Sequence, residues 1–218
     1  PTDDGIFKAD VKTGAKELIV SFTQLAAAIG KSNPLVEQAP LFINHTLWSR
    51  DDDRIYFYAR GNFGNRQTRV NVPFTVEPDG ADLTIQDVFI GGHPEWLQGH
   101  LILGHEENNL VIYDTDRQQI ASTLGDASIF RDPGGDNAFS PDGQWIANGS
   151  GPKNGTVYVM YRLADEAWAH TETFDQGQWI SGDLRCDPAP CWNRTSDQVL
   201  FPSIAADGTR QMFVMSRS

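Results

Sequence analysis

One unit recurs four times along the 218 residues, and its spacing restricts the fold more than any other feature. Each copy opens on an aromatic residue, continues through a short polar turn and ends in an apolar strand. The copies read Trp48-Ser-Arg-Asp-Asp-Asp-Arg-Ile-Tyr-Phe-Tyr58, Trp96-Leu-Gln-Gly-His-Leu-Ile-Leu103, Phe139-Ser-Pro-Asp-Gly-Gln-Trp-Ile-Ala147 and Trp192-Asn-Arg-Thr-Ser-Asp-Gln-Val-Leu-Phe201. Their anchors, at 48, 96, 139 and 192, are separated by the length of a four-stranded antiparallel blade. Asp, Pro and Gly supply the turn chemistry, and the Ile, Val, Tyr and Phe that follow have strand composition.

Further strands follow each copy. Third strands are expected at Arg69–Val76, Leu110–Asp114, Val157–Arg162 and Gln211–Met215. Fourth strands are expected at Leu83–Asp87, Gln119–Thr123 and His170–Phe174. The fold class is therefore all-β, a β-propeller in one domain over 1–218. Its blades fall at about 42–88, 89–125, 134–175 and 182–218, with a partial blade at 5–21. One helix stands apart from the pattern. Ser21-Phe-Thr-Gln24 reads as a capping box ahead of Leu25-Ala-Ala-Ala-Ile29, with Gly30 as the stop. The opening Pro1-Thr2-Asp3-Asp4 carries neither Met nor signal peptide, which leads us to expect a processed or truncated chain. Either the two ends complete one shared blade of a five-bladed ring, or N-terminal blades are missing and the ring is incomplete, which is the favoured reading.

Charge narrows the partners. A net charge of −12 and a pI near 4.7 repel phosphate backbones, so nucleic acid is not expected. No apolar run is long enough for a membrane span. An anionic carbohydrate remains open, because a cationic pocket can sit in an acidic shell. Cys186 and Cys191, in Cys-Asp-Pro-Ala-Pro-Cys, read as a local disulfide or as two free thiols. Sequons at Asn44, Asn148, Asn154 and Asn193 favour a secreted or periplasmic protein.

The Ser-Pro-Asp-Gly turn and the stretch from Cys191-Trp192 to Met215 resemble the repeat of Tol-type and dipeptidyl-peptidase-type propellers. A longer ordered set is similar to the propeller polysaccharide lyases, the oligogalacturonate and ulvan lyases. It runs Gly5-Ile-Phe-Lys-Ala-Asp10, Ile43-Asn44-His45, Arg60, Gly92-His93, Gly135-Asp136, Arg185-Cys186-Asp187 and Arg210-Gln211-Met212. The resemblance implies a seven-bladed propeller, here truncated, that cleaves uronate glycosides by β-elimination, with a divalent metal such as manganese, zinc or calcium in some members. It places His45 at a catalytic position and Arg60 at the substrate carboxylate. It places His93 at a metal or active-site histidine, with a metal site either degraded or rebuilt around His93, Asp136, Cys186 and Asp187; from the residues themselves, Arg185 ahead of an inner strand and Tyr58, otherwise a core aromatic, are candidates for substrate binding. Asp136 and Ala189 stand where relatives usually have His, so the metal set departs from the pattern. Each assignment has a structural counterpart: His45 bonded to nearby backbone, Arg60 paired with the Asp51–Asp53 run, His93 as a turn residue before Pro94. The alternative function is a non-catalytic Tol-type propeller that binds carbohydrate or protein.

Overall fold

The computed structural model describes residues 1–150 and 155–217, so Asn154 of the third sequon and Ser218 lie outside the described residues. The chain forms two compact units. One comprises Pro1–Phe89 with the turns Gln98–His100 and Thr115–Gln119; the other comprises Ile90–Leu97, Leu101–Asp114 and Ile120–Ser218.

In the first unit, β1 (Gly5–Ala9) and β2 (Lys16–Ser21) form an antiparallel hairpin. The helix α1 (Phe22–Gly30) follows, and its capping box is made as the sequence predicts. Ser21 Oγ accepts from the Gln24 amide, and the Gln24 side chain accepts from the Ser21 amide. Gly30 lies inside the helix and Lys31 is its C-cap, one residue beyond the expected stop. After a short 3-10 helix, Pro34–Gln38, a four-stranded sheet runs β3 (Phe42–Trp48), β4 (Ile55–Gly61), β5 (Val70–Val76), β6 (Thr84–Ile85). Strand alternation sends Ile55, Phe57 and Ala59 to one face of β4. There they pack with Phe74, Val76, Val20 and the buried helix residues Leu25 and Ile29. Tyr56 and Tyr58 occupy the other face and are also fully buried.

The second unit holds β7 (Gly91–Trp96), β8 (Leu101–Glu106), β9 (Asn109–Asp114) and all but the first residue of β10 (Gln119–Leu124) as one antiparallel set. A second set is β11 (Asp136–Phe139), β12 (Trp145–Ser150), β13 (Val157–Arg162) and β14 (Trp168–His170). The first strands, β7 and β11, run parallel and meet at one pair, Asp136 with His93, which links both sets into an eight-stranded sheet. β15 (Cys191–Trp192), β16 (Gln198–Ile204) and β17 (Arg210–Ser216) make a separate three-stranded sheet. β14 begins earlier than expected. The predicted pairing toward Phe174 survives as a bridge between Thr156 and Phe174, because Thr171 takes over the contacts to Tyr158.

The repeat has a single hydrogen-bond signature. The residue after each aromatic anchor donates its amide to the carbonyl that opens, or immediately precedes, the next strand. The pairs are Ser49 to Arg54, Leu97 to Leu101, Ser140 to Trp145 and Asn193 to Gln198. In three copies its side-chain oxygen also accepts two turn amides, as Ser49, Ser140 and Asn193 do. Trp96, Phe139 and Trp192 are buried; Trp48 stays 45% exposed. Two sequons serve the fold instead of the surface. Asn148 is fully buried and donates to Asn137 Oδ1, and Asn193 braces its turn.

Candidate functional site

β3 is interrupted where it carries His45. Asn44 pairs with Tyr58 and Leu47 with Tyr56, so His45 and Thr46 together stand opposite Phe57. Such a bulge bends the strand and re-aims one side chain. His45 adopts a left-handed backbone, φ 54°, which a non-glycine residue seldom takes up without a local reason. Its ring meets Tyr58 edge-on, with centroids 5.3 Å apart. Arg60 Cζ lies 4.5 Å from the centre of the same ring and 5.6 Å from that of Phe63. Arg60 Nε donates to Oδ1 of Asn71, its cross-strand partner, at 2.8 Å. Asn71 is thus the hydrogen-bond partner the structure gives Arg60, in place of the Asp51–Asp53 run.

Tyr58 is fully buried, which removes it from direct contact with a ligand. Burial pushes its phenol up to about 12, so it stays protonated and neutral. It is the platform for His45 and Arg60, not a third reacting group. Burial also lowers Arg60 from its ordinary value, and Arg69 nearby adds to that fall.

A second group forms in the other unit. β7 passes from the pair Gly91–His105 to the pair Glu95–Leu103, leaving Gly92, His93 and Pro94 opposite Gly104 alone. Gly92 takes φ +74° there, and a Cβ on it would come within 2.9 Å of the Gly134 carbonyl. His93 Nδ1 is in close contact with Asp136 Oδ1. The hydrogen bond to Asp136 raises His93 above its ordinary value against the opposing effect of burial; Asp187 adds to the rise and Arg185 subtracts. Arg185 Nε donates to Asp187 Oδ1 at 2.5 Å. Glu95 ties the strands further by accepting from the Phe139 amide at 2.8 Å.

Cys186 is buried and Cys191 exposed, and both are free thiols, so the expected disulfide is not formed. The backbone holds them apart in role. The Cys186 amide donates to Trp179 and its carbonyl accepts from Gln176, whereas Cys191 opens β15. Burial pushes the Cys186 thiol up, so it remains protonated.

The expected metal set does not fit the residues as placed. Among the described residues, no three His, Cys, Asp or Glu side chains are arranged to hold one ion. Asp136 is taken by His93, Asp187 by Arg185, and the Cys186 thiol keeps its proton. His105, at the end of the strand Leu101–Gly104, is not among the candidates taken from the sequence, because its separation of five from His100 does not match strand alternation. Its ring lies under the glycines ahead of His93, where a Cβ on Gly91 would come 2.5 Å from Cε1, and its buried Nδ1 has no hydrogen-bond partner among the described residues. The doubled glycines Gly91-Gly92 and Gly134-Gly135 were the available signal, marking close backbone approach.

No family model and no curated protein matches the sequence. Solved structures do. A crystal structure of an oligogalacturonate lyase from Vibrio parahaemolyticus matches with TM-score 0.64 at 17% identity, over 96% of this chain and 54% of that one. The fold is a β-propeller. A candidate TolB from Agrobacterium tumefaciens matches at TM-score 0.43 and 14% identity, over 81% and 78% of the two chains. The chain spans about half the length of the lyase structure. In a propeller the innermost strands of adjacent blades run in the same direction, which accounts for the parallel pair of β7 and β11.

Proposed function

We propose that this chain belongs to a propeller that acts on uronate-containing oligo- or polysaccharides by β-elimination. His45 moves the proton and Arg60 meets the substrate carboxylate. The observation that carries the reading is the pair itself: an imidazole on a bulge and a guanidinium, held on one buried tyrosine ring. In β-elimination a base takes the C5 proton, a cation neutralises the carboxylate so that the carbanion is tolerated, and the carbanion's electron pair forms the C4=C5 double bond as the C4–O bond breaks, the leaving oxygen taking a proton from water or from the protonated base. Imidazole suits the first step near neutral pH, and Arg suits the second because it keeps its charge. An extracytoplasmic location goes with such a substrate; no helix among the described residues is long and apolar enough to cross a membrane.

The test is the ultraviolet absorbance of the unsaturated product, measured on oligogalacturonides and on ulvan. Product should form, and His45→Ala should slow it by about 100-fold or more. No product from either substrate overturns the reading. A second reading, a binding module without turnover, draws on the burial of Tyr58, which leaves that phenol unable to protonate the leaving oxygen. Saturable uronate binding with no product would favour it.

A further inference from the structure

Within the second unit, the segment after β14 and the hairpin of β16 and β17 enclose an open cleft of about 810 Å³. A cleft of that size accommodates a small organic ligand. Its aromatic lining is Phe174, Trp179 and Phe213, each partly exposed. Phe174 and Phe213 lie 5.7 Å apart, and both rest on Phe201, at 5.7 Å and 5.8 Å. Phe201 is buried and packs in turn on the buried Tyr158 at 4.3 Å, so the two exposed rings sit on a packed floor. Trp179 is fixed separately. Its indole Nε1 donates to the Gly208 carbonyl at 3.1 Å, its amide donates to the Gln176 carbonyl, and its carbonyl accepts from the Cys186 amide. With the indole N–H already used, the ring offers a ligand its π-system alone.

Charge decides what such a cleft takes. Glu172 and Asp175 line it, and among the described residues no Lys, Arg or His does. Asp175 Oδ1 accepts from the Gly177 amide at 2.8 Å, which holds that carboxylate in place. Aromatic faces carry negative potential, so rings and carboxylates together repel an anion and attract a cation. Trp179 already holds one. The Arg210 guanidinium lies 4.9 Å from its ring centre, tied by Nη1 to the Leu184 carbonyl at 3.1 Å, and Arg210 is outside the cleft lining. A primary ammonium is strongly hydrated and needs acceptors for three N–H groups. A fully alkylated ammonium needs none and gains from ring faces, which suits a wall of three rings with two carboxylates. We propose that this cleft binds an alkylated organic ammonium, with Phe174, Trp179 and Phe213 against its alkyl groups and Glu172 and Asp175 as counter-charge. The site does not depend on the proposed lyase activity: His45 and Arg60 belong to the first unit, and this lining disfavours a uronate.

The probe is choline, titrated into the full chain at low ionic strength. The readout is the NMR resonance of the Trp179 indole N–H, assigned by its loss in Trp179→Phe. A saturable shift is expected, with Kd on the order of 1 mM. The uncharged carbon analogue of choline, in which a tert-butyl group replaces the trimethylammonium, should bind about tenfold more weakly or less. Glu172→Gln combined with Asp175→Asn should weaken choline about fivefold or more; Asn keeps the Oδ1 acceptor for Gly177, and thermal unfolding shows that the variant folds. Phe213→Leu, which keeps an apolar side chain, should weaken choline to a similar degree and leave the uncharged analogue nearly unchanged. Galacturonate should not shift Trp179. Choline that leaves Trp179 unmoved overturns the inference. So does equal binding of choline and its uncharged analogue, a double variant that keeps the parent's affinity, or galacturonate that competes with choline.

Discussion

Arg60 Cζ stands 4.5 Å above the ring of Tyr58, and that ring is closed to solvent. A cation on an aromatic face gains about 0.5–2 kcal/mol, more as the pair is desolvated. Because His45 meets the same ring, its removal should release both groups. Tyr58→Ala is expected to cost about 3–5 kcal/mol in urea unfolding, and Tyr58→Phe far less. The phenol gives an alkaline signature as well. Its folded value is about 12 against an ordinary 10.0, so the unfolded chain loses this proton first as pH rises. Its contribution is therefore fully present below pH 10.0 and is lost as pH climbs toward about 12. Tyr58→Phe should flatten that part of the stability curve.

His100 lies between two carboxylates, with Nδ1 2.7 Å from Asp116 and Nε2 3.1 Å from Asp53. Arg54 joins the same cluster, 2.5 Å from Asp82 and 3.8 Å from Asp116, and Ser49 holds Asp53. Burial opposes the charge on His100, but the hydrogen bonds to Asp116 and Asp53 outweigh it and raise the imidazole above its ordinary value. The sign follows from the raised value. Stability from this pairing is complete below the unfolded histidine's value and disappears as pH rises through the folded one. The acidic partners are largely exposed, which keeps the effect under about 1 kcal/mol. Thermal unfolding between pH 6 and 8 should show the slope, and His100→Gln should remove it; an unchanged slope would refute the assignment.

Gly149 sits where a Cβ would lie 1.9 Å from the Pro188 carbonyl oxygen, with the Tyr158 ring 2.9 Å away. Both neighbours are fixed, one in backbone and the other by a hydrogen bond from Tyr158 Oη to the Pro202 carbonyl. Gly149→Ala must move backbone and should destabilise by about 1–3 kcal/mol or more. Gly64→Ala meets nothing within 4 Å and serves as the control. Equal midpoints for the two variants in chemical unfolding would contradict the close approach.

Two thiols should titrate with an aromatic disulfide reagent in the native state, at unequal rates. Cys191 is exposed and should react promptly, while Cys186 is buried with its thiol pushed up and should react only slowly. Cys191→Ser should remove the fast phase. A native protein with no titratable thiol until reduced would restore the disulfide.

The sequence alone determined the repeating unit, and with it the strands and turns. Aromatic anchor, turn residues and apolar run are local, so the sets beginning at Trp48, Trp96, Phe139 and Trp192 announce themselves without tertiary information. The capping box at Ser21 was legible for the same reason. Only the tertiary structure decided what His45 and His93 do. A bulge is an excess of residues over a partner strand, and it exists only after turns and packing have set the register of β3 on β4 and of β7 on β8. The meeting of His93 with Asp136 depends on parallel strands from different blades, a contact no local pattern encodes. Tyr58 shows the limit most simply. Its place in an apolar run was visible, but its complete burial beneath His45 and Arg60 came from tertiary neighbours, with Phe89 stacked on its ring and Tyr56 edge-on to it.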